Sequence, residues 1–89
     1  MGIAIIKVRL MPTSPDVDLE DIIEEAGSII TKNSGKLQNS TYEPIAFGLK
    51  ALILTFTLSE DIELDPIEEQ LSQIDDVNSC QVIDMRRAL

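Results

Sequence analysis

Leu49-Lys50-Ala51-Leu52-Ile53-Leu54-Thr55-Phe56-Thr57-Leu58 is the stretch that decides the fold. Leu52, Leu54, Phe56 and Leu58 alternate with Ala51, Ile53, Thr55 and Thr57, the two-residue period of a β-strand. Apolar residues on both sides of the alternation suit a central strand. Before it, Lys36 to Tyr42 reads as a weaker strand, and the polar run Gln38-Asn39-Ser40-Thr41 assigns it to a sheet edge. Nearer the start, the apolar opening Met1 to Ile6 leads into Ile6, Val8 and Leu10 alternating with Lys7 and Arg9. These form a first strand that Met11-Pro12-Thr13-Ser14-Pro15 ends.

Two stretches carry a helical period instead. Leu19, Ile22, Ile23, Ala26, Ile29 and Ile30 recur at three- and four-residue intervals, with Glu20, Asp21, Glu24 and Glu25 largely opposite. Asp16 or Asp18 supplies the N-cap, Lys32 suits the negative end, and Asn33-Ser34-Gly35 stops the helix. Asp65-Pro66-Ile67-Glu68 opens a second helix, with Asp65 as N-cap and Pro66 in the first helical position, and Ile67, Leu71 and Ile74 form its buried stripe. A last strand begins near Asn78. Cys80 and Val82 fall on one of its faces but Ile83 and Met85 on the other, which calls for a bulge or a change of exposure.

Strand, helix, strand, strand, helix, strand is the order of a ferredoxin-like split βαβ sandwich, an α+β fold with two helices on one face of a four-stranded antiparallel sheet. Strands one and three are expected at its centre, with Lys7, Arg9, Thr55 and Thr57 on the face away from the helices. A chain of 89 residues makes one domain over residues 1–89. At that size it buries only about 60–65% of its unfolded surface, so its stability rests on a compact two-layer core.

Composition excludes several functions. Seven cations against sixteen anions, a net charge of −9, argue against a general nucleic-acid binder. The acids are segregated: six lie between Asp16 and Glu25 and eight between Glu60 and Asp76, and every basic residue falls outside those stretches. With no histidine and a lone Cys80, neither a zinc site nor an intrachain disulfide is expected, and the thiol suits a reducing cytoplasm. No signal peptide is expected, because Lys7 cuts the apolar start short, and no run approaches membrane-spanning length. Asn39-Ser40-Thr41 matches a glycosylation acceptor but reads as an ordinary polar strand. Asp16-Val17-Asp18-Leu19-Glu20 has Asp21 where a calcium loop needs glycine. Phosphate loops, nucleophile motifs and metal clusters are missing, Asp75-Asp76 reads as a solvated pair, and no cofactor or catalytic residue is expected.

The turn Glu43-Pro44-Ile45-Ala46-Phe47-Gly48 stays apolar where a surface loop is normally polar, and such a loop usually touches something. By residue type alone, Phe47 beside Gly48 fits a plug for the end of the core. Likewise Arg86 and Arg87 fit a solvated basic end.

This turn, the helix start Asp16-Val17-Asp18-Leu19 and the ending Asp84-Met85-Arg86-Arg87 together resemble the archaeal form of translation elongation factor 1-beta, the nucleotide exchange factor of elongation factor 1-alpha. The resemblance covers essentially the whole chain. It implies a protein without covalent chemistry that promotes GDP-for-GTP exchange on that GTPase by disturbing its magnesium and phosphate site. It further implies that Phe47 packs against the partner's nucleotide-binding domain, with Pro44, Ile45, Gly48 and Lys50 shaping the same surface. In the family a basic residue near the C-terminus displaces the partner's magnesium. Arg87 is the better match for that residue and Arg86 the lesser one, and here the chain departs from eukaryotic members, which end in lysine and leucine.

Two other readings share the fold. A regulatory module binding a small metabolite usually carries a second domain or a glycine-rich ligand loop, and this chain has four glycines in all. An RNA-recognition domain wants aromatics on its central strands, where only Phe56 is available, on the helix-covered face.

Overall fold

The computed structural model describes residues 2–88. Met1, read as the start of the first strand, and Leu89, the end of the C-terminal segment, lie outside the described residues. The elements run β1 (Ile3–Pro12), α1 (Leu19–Lys32), β2 (Lys36–Pro44), a short 3-10 turn (Ala46–Gly48), β3 (Lys50–Ser59), α2 (Asp65–Ser72) and β4 (Val77–Arg87). The sheet order is β2-β3-β1-β4, and all three pairings are antiparallel. This is the expected ferredoxin-like sandwich with β1 and β3 at the centre.

Register explains the core. Ile6, Val8 and Leu10 lie opposite Phe56, Leu54 and Leu52, and all six are buried. They meet Ile22, Ala26 and Ile30 of α1 and Ile67 and Leu71 of α2, each helix turning its apolar stripe to the sheet. On the other face Lys7 pairs with Thr55 and Arg9 with Ile53. Among the described residues no helix covers that face, yet Ala51 is fully buried and Ile53 nearly so.

β4 contains the bulge that its mixed phase calls for. Val8 pairs with Val82 but Lys7 pairs with Asp84, leaving Ile83 as the extra residue. The consequence differs from simple alternation: Met85 pairs with Ile6 and returns to the same face as Val82.

Three local details settle or correct the sequence reading, and only the second of them departs from it. Asp18 rather than Asp16 caps α1, its Oδ1 accepting from the Glu20 N–H at 3.0 Å. Asp65 is not the cap of α2: Leu64 is already helical at φ −81° and ψ −33°, and the Glu68 N–H donates to its carbonyl at 3.0 Å. Pro66 is tolerated one position further in because a first-turn N–H has no helical acceptor to lose. At the end of α1 the left-handed residue is Ser34, at φ 67°, rather than Gly35. Gly35 serves close packing instead, since a Cβ there would stand 2.8 Å from Ile30 Cγ2 and 3.2 Å from the Thr57 carbonyl oxygen.

Candidate interaction surfaces

Pro44 ends β2 opposite Lys50, and the residues between them close the β2–β3 hairpin. The Ile45 N–H donates to the Leu49 carbonyl at 2.7 Å, and the Leu49 N–H to the Ala46 carbonyl at 3.3 Å. These bonds drive two successive residues into the left-handed region, Phe47 at φ 62° and Gly48 at φ 79°. Glycine adopts that geometry freely, whereas for phenylalanine it costs about 1–2 kcal/mol. Phe47 is 95% exposed, so its ring plugs nothing, and the core-plug reading is overturned. The hairpin bonds hold this aromatic outward at the cost of backbone strain.

Beside the turn lies an open cleft of about 440 Å³, lined among others by Pro12, Pro15, Val17, Tyr42, Gly48 and Lys50. Tyr42 is 49% exposed. The chain has one tyrosine and two phenylalanines. With Phe56 in the core, both remaining aromatics are exposed at this end of the sheet. Tyr42 was missed in the sequence because the polar run before it obscures the phase of β2.

Arg86 and Arg87 are elsewhere. They are paired residues of β4, opposite Ile5 and Ala4, with the Ala88 N–H bonded to the Ile3 carbonyl at 2.8 Å. That places them at the Ser59 end of β3, whereas Phe47 precedes its Lys50 end. At about 3.3 Å per residue the two groups stand about 30 Å apart. The sheet therefore separates what the sequence offered as one set of site residues: Pro44, Ile45, Phe47, Gly48 and Lys50 gather at one end, and the two arginines sit at the other.

Adjacent in sequence, the arginines project from opposite faces. Arg86 folds back along its own strand on the open face, where Nε and Nη2 both donate to Asp84 Oδ2, at 3.1 and 2.9 Å. Arg87 lies on the helix side, and its Nε donates to Glu60 Oε2 at 2.8 Å. A cleft of about 270 Å³ opens beside it, with Ala4, Leu58, Ile62, Leu64 and Met85 in its walls. The Asp84–Arg86 pair is legible as two residues on one face of a strand. Glu60 left no such mark, being 27 positions from Arg87.

The acidic stretches are solvated: Asp16, Asp18, Glu20, Asp21, Glu24 and Glu25 are all exposed, as are Asp75 and Asp76. Among the described residues no cluster of three metal-ligating side chains occurs, and no helix is long and apolar enough to cross a membrane. Cys80 on β4 is partly buried, and burial, with a smaller contribution from the charge of Glu68, pushes its thiol up to about 11.

A split βαβ sandwich with an outward aromatic turn at one end and paired arginines at the other has the features of a protein-binding module. Residues 5–88 match the EF-1 guanine nucleotide exchange domain, and the chain belongs to that family, whose members are exchange factors of translation elongation. It is 35% identical to an elongation factor 1-beta of Methanococcus maripaludis over 86 residues, covering 96% of this chain and 97% of the relative. To that of Methanosarcina barkeri it is 36% identical over 88 residues, covering 98% and 99%. To that of Methanocaldococcus jannaschii it is 32% identical over 89 residues, covering 99% and 100%. Among solved structures, the ACT domain from the GTP pyrophosphokinase of Chlorobium tepidum superposes with a TM-score of 0.61 at 11% identity, covering 89% of this chain and 96% of that one. At that identity the likeness concerns the fold alone.

Proposed function

We propose that this chain accelerates nucleotide release from elongation factor 1-alpha by gripping the GTPase through the Pro44–Lys50 turn and presenting Arg87 to its magnesium and phosphate site. The observation that carries the reading is Phe47, an aromatic 95% exposed on a left-handed backbone, which has no folding role and suits a partner pocket. Lys50 and the cleft around Tyr42 extend the same surface. Phosphates repel the acidic helices, so the basic side chains are the groups suited to approach a phosphate site.

A GTPase holds its nucleotide through a phosphate-cradling loop and a magnesium ion, so an exchange factor has only to weaken those contacts. A guanidinium about 4 Å from a divalent cation raises the energy by about 8 kcal/mol at an effective dielectric near 20. Accelerating release by about 10³- to 10⁵-fold needs only about 4–7 kcal/mol. One arginine is sufficient. By linkage, the factor binds the nucleotide-free GTPase more tightly than the loaded form by the ratio through which it weakens the GTPase's affinity for nucleotide.

With the two ends about 30 Å apart, binding and displacement are separable. Deleting residues 86–89 is a poor way to separate them, because Arg86 and Arg87 are paired strand residues whose removal frays β4. Arg87→Ala keeps the strand. Its complex with elongation factor 1-alpha should form normally while GDP leaves about 100-fold more slowly than with the unmodified protein, the size of a lost charge contact in a transition state. Lowering magnesium should partly restore the rate. Undiminished release with Arg87→Ala would refute the displacement step.

A further inference from the structure

We infer that Glu60 is a positioning residue for Arg87, fixing the direction in which its guanidinium is presented. The inference rests on the reading of Arg87 given above. Glu60 begins the turn after β3, and its own N–H is tied to the Gly2 carbonyl at 3.0 Å, so its backbone is anchored to the sheet. Its side chain is 31% exposed against 70% for Arg87, making it the more fixed member of the pair.

The bond it makes is selective. Glu60 Oε2 takes the Nε–H of Arg87 at 2.8 Å, and among the described residues no hydrogen bond occupies either Nη. A guanidinium held by Nε keeps its terminal donors available, and a planar fork pre-oriented in this way loses less freedom on meeting oxygen ligands. Arg86 shows the contrary arrangement, with Nε and Nη2 both engaged by Asp84. This contrast assigns presentation to Arg87 and not to Arg86. The Arg87 stem, at the rim of the cleft walled by Ala4, Leu58, Ile62 and Met85, adds a second restraint on the same side.

An exposed pair of this kind contributes little to folding, so its value lies in orientation. The test measures release of fluorescent GDP from elongation factor 1-alpha with the unsubstituted chain and its Glu60→Ala, Glu60→Gln, Arg87→Ala and doubly substituted Glu60→Ala/Arg87→Ala forms. Glu60→Ala should lower the maximal release rate about three- to fivefold, the scale of one exposed ion pair, with complex formation and thermal midpoint unchanged. Glu60→Gln retains an oxygen acceptor and should recover most of the rate. In the Arg87→Ala background, Glu60→Ala should change nothing further. A normal or faster rate with Glu60→Ala, alongside a defective Arg87→Ala, overturns the inference by making the bond neutral or inhibitory. So does a Glu60→Gln as slow as Glu60→Ala, or a Glu60→Ala effect that persists without Arg87. Full activity of Arg87→Ala instead overturns the displacement reading itself.

Discussion

Arg9 Nη1 lies 3.6 Å from Glu43 Oε1, a contact that spans the width of β3 to join β1 with edge strand β2. The same guanidinium donates from Nη2 to Gln81 Oε1 on β4 at 3.2 Å. One side chain thus touches both edge strands and lies across the face where Ala51 and Ile53 are buried without a covering helix. Arg9→Ala should uncover Ile53 and cost about 1 kcal/mol, more through lost cover than through the exposed ion pair. Urea unfolding of Arg9→Ala and Glu43→Gln distinguishes the two: equal losses would make the ion pair responsible.

Phe47→Ala should weaken association with elongation factor 1-alpha by about 2–4 kcal/mol, the range of an aromatic anchor. Thermal stability should not fall, because the ring is 95% exposed. Phe47→Gly, free to adopt φ 62°, should be at least as stable as the natural protein and bind as poorly. A marked drop in the melting midpoint of Phe47→Ala would return the ring to a folding role.

The architecture was legible because period and register agree. The alternation of Ile6, Val8 and Leu10 with Lys7 and Arg9 gave the inward and outward faces of β1, and Leu52 to Leu58 gave those of β3. Even the bulge at Ile83 showed itself as a phase conflict between Val82 and Met85. Caps were less legible, since Asp65 had every local mark of an N-cap and lost the role when the preceding turn became helical at Leu64. Segment chemistry marked the apolar Phe47 turn and the family resemblance the terminal arginines, but neither gave the distance between them, which depends on strand order and direction. Glu60 was beyond reach for the same reason, since its partner is brought to it only by tertiary pairing.

The acidic helices should draw the chain toward a partner of basic surface. Fourteen of the sixteen acids lie in the Asp16–Glu25 and Glu60–Asp76 stretches, which hold the first half of α1, the whole of α2 and the turns leading into them. Raising salt shortens the screening length to about 3 Å at 1 M, so association should slow markedly between low and high ionic strength while dissociation changes less. Stopped-flow association rates independent of salt would reduce these acids to solubilising residues.

Cys80 links stability to alkaline pH. Its thiol is held up at about 11 against an ordinary 9.0, so the folded protein keeps a proton that the unfolded chain releases. The resulting stabilisation is complete below pH 9.0 and declines as pH rises from there through about 11. Cys80→Ala should flatten this part of the stability curve whatever it does to the level. An unchanged slope would show that other groups set the alkaline limit.

The most direct measurement of the central claim follows fluorescent GDP leaving elongation factor 1-alpha after mixing with excess unlabelled nucleotide, with and without this protein, across a series of magnesium concentrations. The expected result is release accelerated by about 10³-fold or more at millimolar magnesium, with a smaller gain as magnesium is withdrawn and the arginine has less metal to displace. Release at the unassisted rate at every magnesium concentration, despite formation of the complex, would contradict the account.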